Sequence, residues 1–113
     1  MSELAKKHCE VCKPGMQPLS ESEVNTLKTE VPAWSCESSR RVTRGFSFAN
    51  FRDAFGFVSR VSLLAESEGH HPDLEFGWGR ARVSFTTHVA GGLTHNDFVM
   101  AAKVDRLVAD QSG

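Results

Sequence analysis

The sequence has no surplus of charge of either sign and no long apolar run. Its 113 residues carry 13 Lys and Arg against 14 Asp and Glu, a formal net charge of −1. That balance leaves no electrostatic footprint for nucleic acid. The densest basic stretch, SRRVTR at residues 39–44, reads as a solvated strand edge. No apolar stretch approaches the roughly 20 residues that span a bilayer. The opening MSELAKKHCEVC lacks the apolar core of a secretory signal, so a cytoplasmic protein without membrane contact is expected. Repeats and low-complexity segments are absent, and a chain of this length can bury one core in one domain.

Cysteine is scarce as well. Cys9, Cys12 and Cys36 suit a reducing compartment better than a disulfide framework. Cys9 and Cys12 form a CxxC beside His8, but no second CxxC or HxxxH supplies the remaining ligands of a zinc site. A KPGMQP turn at residues 13–18 follows where a thioredoxin-like motif would need a helix. Residues 1–18 are therefore expected to form a flexible N-terminal tail, and residues 19–110 the folded domain.

What is present is well punctuated. Ser20 and Glu23 make a capping box, with Leu19 and Val24 placed to staple it, and the helix they open should end before Pro32. Residues 34–37 and 41–48 read as strands joined by a tight turn; Val42, Phe46 and Phe48 share one face, interrupted by Arg44. Asn50 caps a second helix, on which Phe51, Ala54, Phe55, Val58, Val61 and Ala65 fall at helical spacing. Gly69 ends it and Pro72 prevents continuation. Residues 74–78 and 80–88 read as a second strand pair. After the Gly91–Gly92 turn, Thr94 caps a last helix with Asp97 at its third position and Leu93 and Phe98 as the staple. The order αββαββα implies a single two-layer α+β domain, a four-stranded antiparallel sheet with helices on one face.

The stretch EGHHP, residues 68–72, displays two histidines just beyond a helix end, and a third, His88, follows 17 positions later. Adjacent histidines in an extended chain point to opposite sides, which makes them poor joint ligands for one metal ion. No nucleophile elbow or triad motif accompanies Cys36 or the serines. General acid–base work remains, for which imidazole titrates in the right range.

The runs ESEGHHPDLEFGW (residues 66–78) and THVAGGLTHNDFVMAAKVD (residues 87–105) resemble the pterin-4a-carbinolamine dehydratases. Glu66, His70, His71, Pro72, Trp78, His88 and Asp97 all fall in that family's register, over about residues 18–110. The resemblance implies dehydration of 4a-hydroxytetrahydropterin to quinonoid dihydropterin and water, which recycles the pterin of aromatic amino acid hydroxylases such as those that hydroxylate phenylalanine. It implies His70, His71 and His88 as catalytic residues, with His70 and His88 the acid–base pair and His71 also gripping the substrate. Glu66, Trp78 and Asp97 would complete the substrate-binding set. Asp97 is also accounted for as a helix cap, Glu66 as a solvated helix residue, and Trp78 as core or pocket wall.

No metal and no cofactor are implied, since the pterin is the substrate. A homodimer or homotetramer and a functional link to a hydroxylase are. The alternative on the same fold is a non-enzymatic interaction protein, a transcription coactivator or assembly factor. The assembly relatives lack parts of the histidine set that this sequence retains.

Overall fold

The computed structural model describes residues 3–112, with side chains described as far as Ala109. Ser20 opens α1 (Glu21–Lys28): its hydroxyl accepts from the Glu23 N–H at 3.1 Å, and the Glu23 carboxylate accepts from the Ser20 N–H at 2.9 Å. The capping box is thus made in both directions. β1 (Ser35–Glu37) and β2 (Arg41–Ser47) follow, joined through Ser38 and Ser39 at φ 51° and 56°. Positive φ at two successive turn residues gives a tight hairpin the twist it needs. Next come α2 (Phe51–Glu68), β3 (Asp73–Gly77), β4 (Arg80–Phe85) and α3 (His95–Ser112).

The four strands form one antiparallel sheet in the order β1-β2-β4-β3, leaving β1 and β3 as edges. Val42 opposite Phe85 and Phe46 opposite Ala81 put the apolar side chains of the two central strands on a common face. α2 packs there against β3 and β4, and α3 against β2 and β4, as the α+β reading requires. The other face is polar, with Thr43 and Ser84 bonded at 2.8 Å and Arg41 paired with Asp73 at 3.6 Å. Arg44, which interrupts the apolar face of β2, lies over the Phe46 ring at 4.5 Å and pairs with Asp105. Asp105 also accepts from Nε1 of the fully buried Trp34 at 2.8 Å.

Two expectations are corrected. In α2 the buried stripe is Ala54, Phe57, Val58, Val61 and Ala65. Phe51 and Phe55 are 49% and 53% exposed and form a second stripe, rotated toward Phe76 of β3, with ring centroids 5.5 and 6.2 Å away. Phe57 takes the core place instead, against Phe46 at 4.6 Å and Phe48 at 5.2 Å. A helix this rich in phenylalanine allows more than one phase of the 3.6-residue period, and the sheet edge decides between them.

The N-terminal segment, expected as a loose tail, packs onto the domain; Met1 and Ser2 lie outside the described residues. Leu4 and Ala5, in a 3-10 turn (Glu3–Lys6), are buried in the core. Lys103 donates to the Ala5 carbonyl at 3.1 Å and faces Glu68 at 3.6 Å. Glu68 accepts from the Cys9 N–H and from His8 Nδ1, each at 2.9 Å. These partners stand 59 to 98 positions away in the chain, where no local pattern can reveal them.

Burial alone would push the Glu68 carboxyl up, but the Cys9 N–H, His8 and the Lys103 ammonium together hold it below its ordinary value of 4.5. A carboxyl lowered by folding adds stability above its ordinary value and loses it as pH falls through the lower, folded-state value. The N-terminal clasp is therefore expected to loosen in acid. Exchange protection of the Cys9 amide should fall as pH drops below about 4.5, and Glu68→Gln should abolish that dependence. Constant protection below that pH contradicts the assignment.

Candidate active site

The ending of α2 presents two imidazoles in opposite directions. Gly69 takes the left-handed conformation at φ 68° and returns its N–H to the Ala65 carbonyl at 2.9 Å, and β3 begins one residue after Pro72. His70 turns inward and is only 6% exposed; His71 points out to solvent. His71 Nε2 donates to the exposed Glu66 carboxylate at 2.7 Å. An exposed pair of this kind adds little stability but sets the plane of the ring.

His70 is held by a carboxylate with no exposure at all. Its Nε2 donates to Asp97 Oδ1 at 2.6 Å, since an ionised carboxylate can only accept. Asp97 Oδ2 accepts from the Thr87 hydroxyl at 2.8 Å and from the Thr94 N–H at 2.9 Å. With the Thr87 proton committed, the Thr94 hydroxyl must be the donor in its 2.8 Å bond to Thr87. Asp97 thus does cap α3 from its third position, while the Thr94 hydroxyl is drawn away to Thr87. The cap and the contact to His70 are one network. Phe85 of β4 lies nearly parallel to the His70 ring, at 16° and 6.2 Å between centroids.

His88 does not end a strand. β4 stops at Phe85, and His88 begins a short 3-10 turn (His88–Ala90) closed by Gly91 at φ 72°. The chain leaves the ladder because Thr86 bonds the Arg40 carbonyl and Thr87 is drawn onto Asp97. The turn leaves His88 exposed, on the wall of a cleft of about 250 Å³ that Gly69, His70, His71, Thr86, Thr87 and Val89 also line. All three expected catalytic histidines therefore share one cleft. Larger hollows of about 580 and 780 Å³ lie over α1 and over the loop of residues 9–16, but no histidine lines either. Chemistry, not size, selects the smaller one.

The remaining expected residues divide. Asp97 lies beneath the cleft and acts on His70; Glu66 stands behind His71. Trp78 is not brought to them. It sits in the β3–β4 turn, 71% exposed, at the far end of strands whose other end carries the histidines, roughly 15 Å away at strand spacing. Two residues of the site were not anticipated, Thr87 and Cys12. Cys12 lines the cleft with its sulfur 3.9 Å from His70 Nδ1. The CxxC was visible in the sequence; its proximity to His70 was not. Among the described residues, no three His, Cys, Asp or Glu side chains are grouped so as to hold a metal ion. The arrangement offers proton donors and acceptors around a small open cleft, one of them backed by a buried charge.

Comparison with known proteins agrees with the residue pattern. The family model described as pterin 4 alpha carbinolamine dehydratase matches residues 17–107. A Rubrobacter xylanophilus protein named "Putative pterin-4-alpha-carbinolamine dehydratase" is 51% identical over 107 residues, covering 95% of this chain and 100% of that protein. A protein of the same name from an Azoarcus species is 44% identical, covering 100% of this chain and 97% of its own length. The crystal structure of a transcriptional coactivator/pterin dehydratase from Brucella melitensis superimposes with a TM-score of 0.74 at 35% identity, over 80% of this chain and 98% of that one. The chain belongs to the pterin 4 alpha carbinolamine dehydratase family.

Proposed function

We propose that the protein dehydrates 4a-hydroxytetrahydropterin to quinonoid dihydropterin and water by histidine acid–base catalysis. One observation carries this reading: three imidazoles line a single cleft, and the buried one is fixed by Asp97. Hydroxide is a poor leaving group, so an acid must protonate the C4a hydroxyl as the C–O bond breaks. The proton on N5 departs to a base, and its bonding pair forms the N5–C4a double bond. Nε2 of His70 is committed to Asp97, so Nδ1 is the nitrogen His70 offers to the substrate. His88, exposed on the same wall, is its partner in proton transfer. His71, its plane set by Glu66, grips the pterin ring. The elimination draws on the pterin itself and needs no metal or separate cofactor. Trp78 is left out of the substrate contacts.

The same reading makes the protein a recycler of the pterin used by an aromatic amino acid hydroxylase in the cytoplasm. No helix among the described residues is long and apolar enough to cross a membrane. A non-enzymatic role as coactivator or assembly factor is the second reading, prompted by the Brucella relative's double description. The complete histidine set favours the enzyme. The assay is decay of 4a-hydroxytetrahydropterin generated by a hydroxylase. The purified protein is expected to accelerate it, and His70→Ala or His88→Ala to lower the rate by a factor of about 10²–10⁴. Full activity in the double variant contradicts the residue roles. A stoichiometric protein partner in a protein without pterin activity supports the second reading.

The exposed rings of Phe51, Phe55 and Phe76 cluster beside β3, whose outer edge is open. An open edge strand flanked by apolar side chains favours pairing with another copy, and we assign the protein to a homodimer or homotetramer on that ground. Light scattering at micromolar concentration should give at least twice the chain mass; a monomer contradicts it.

A further inference from the structure

The clasped N-terminal segment delivers a thiol to the histidine that Asp97 holds. The Asn96 side chain pairs with the backbone of Glu10 through both ends of its amide: Oδ1 accepts from the Glu10 N–H at 2.9 Å, and Nδ2 donates to the Glu10 carbonyl at 2.8 Å. Nδ2 also donates to the Cys12 sulfur at 3.7 Å. Asn96 itself is buried at the start of α3, beside Asp97. Together with the Cys9–Glu68 bond, these contacts fix the chain where Cys12 meets the cleft.

The directions of the bonds form a consistent chain. An amide N–H can only donate, so at the Asn96 contact the sulfur accepts and keeps its own proton for another partner. The sulfur lies 3.9 Å from His70 Nδ1, the acceptor toward which that proton can turn. Nδ1 of the neutral ring is an acceptor, because Nε2 carries the proton given to Asp97. The sequence Asn96 to Cys12 to His70 to Asp97 therefore runs donor to acceptor throughout, and it begins and ends on neighbouring residues of α3. Charged and titratable groups near the ring are Asp97 from α3, Cys12 from the N-terminal segment, and His71 and His88 across the cleft; the face against β4 is the Phe85 ring. Cys9 is a neutral neighbour. Burial first, and the Glu68 charge next, push its thiol up to about 12.

We infer that Cys12 is a positioning residue for His70: its S–H holds Nδ1 as the acceptor at the cleft wall and gives way to the substrate when the pterin binds. The catalytic half of this inference rests on the dehydratase reading; the hydrogen bond does not. A bond to sulfur at this length is weak, which suits a contact that substrate must displace.

Two readouts on the full chain separate the cases. Long-range proton–nitrogen correlation of the ¹⁵N-labelled protein reports His70 directly. In Cys12→Ala the Nδ1 resonance is expected to move toward that of a free lone pair while Nε2–H stays on Asp97, and Cys12→Ser keeps Nδ1 bonded. In the dehydration assay, Cys12→Ala should lower KM roughly 3- to 10-fold with kcat unchanged, because the substrate no longer has a bond to displace, and serine should restore the wild-type KM. An Nδ1 signal unchanged in Cys12→Ala overturns the inference, as does an unchanged KM in that folded variant. Absence of dehydration by the wild-type protein would refute the proposed function, and the Nδ1 signal would still decide the Cys12 contact.

Discussion

A carboxylate without solvent is costly unless every donor it needs is in place, and Asp97 is such a carboxylate. Its donors come from three separate places: His70 after α2, Thr87 after β4, and the Thr94 N–H before α3. The two loops that shape the cleft are therefore tied to the first turn of α3 through one side chain. Removing the acceptor would leave three donors unsatisfied in a region where no buried polar side-chain atom among the described residues lacks a partner. The same bond that stabilises the junction fixes the proton on His70 Nε2 and leaves Nδ1 turned away from the carboxylate. Under the proposed function, fold and activity would share a single interaction here.

The local grammar of the chain was legible for a physical reason: caps act over three or four residues. Ser20 with Glu23, Asn50 with the Asp53 N–H at 2.8 Å, and Gly69 in the left-handed region each work within one helical turn, and each lies where its pattern indicates. Strand alternation was equally readable, since one face of the sheet is packed and the other polar. The element order αββαββα and the single antiparallel sheet followed from these signals.

What the sequence hid was set by distant partners. The phase of α2 depends on where the sheet ends, and periodicity could not choose between Phe55 and Phe57. The polar N-terminal segment gave no sign that Glu68, Asn96 and Lys103 would bind it. Thr87 looked like one more strand residue, yet its bond to Asp97 helps pull His88 out of the strand and onto the cleft wall. Of the expected site residues, the three histidines and Asp97 converge, Glu66 stands one contact behind, and Trp78 lies at the opposite end of the sheet. Convergence was foreshadowed by fixed spacing in the family pattern; the distances were not. Cys12 shows the same limit. A CxxC is easily noticed, but only the fold places one of its thiols against a particular imidazole nitrogen.

Asp97 is where the account is most exposed to test. In Asp97→Asn the side chain keeps its shape but loses its charge and presents a donor at one of its two ends, either toward His70 or toward Thr87 and Thr94, where the carboxylate accepts. The decisive measurement is the dehydration rate of this variant, taken on protein whose circular dichroism matches the wild type. If Asp97 fixes the working form of His70, the rate falls by roughly 10²-fold or more. A wild-type rate from the folded variant would contradict the account at its centre.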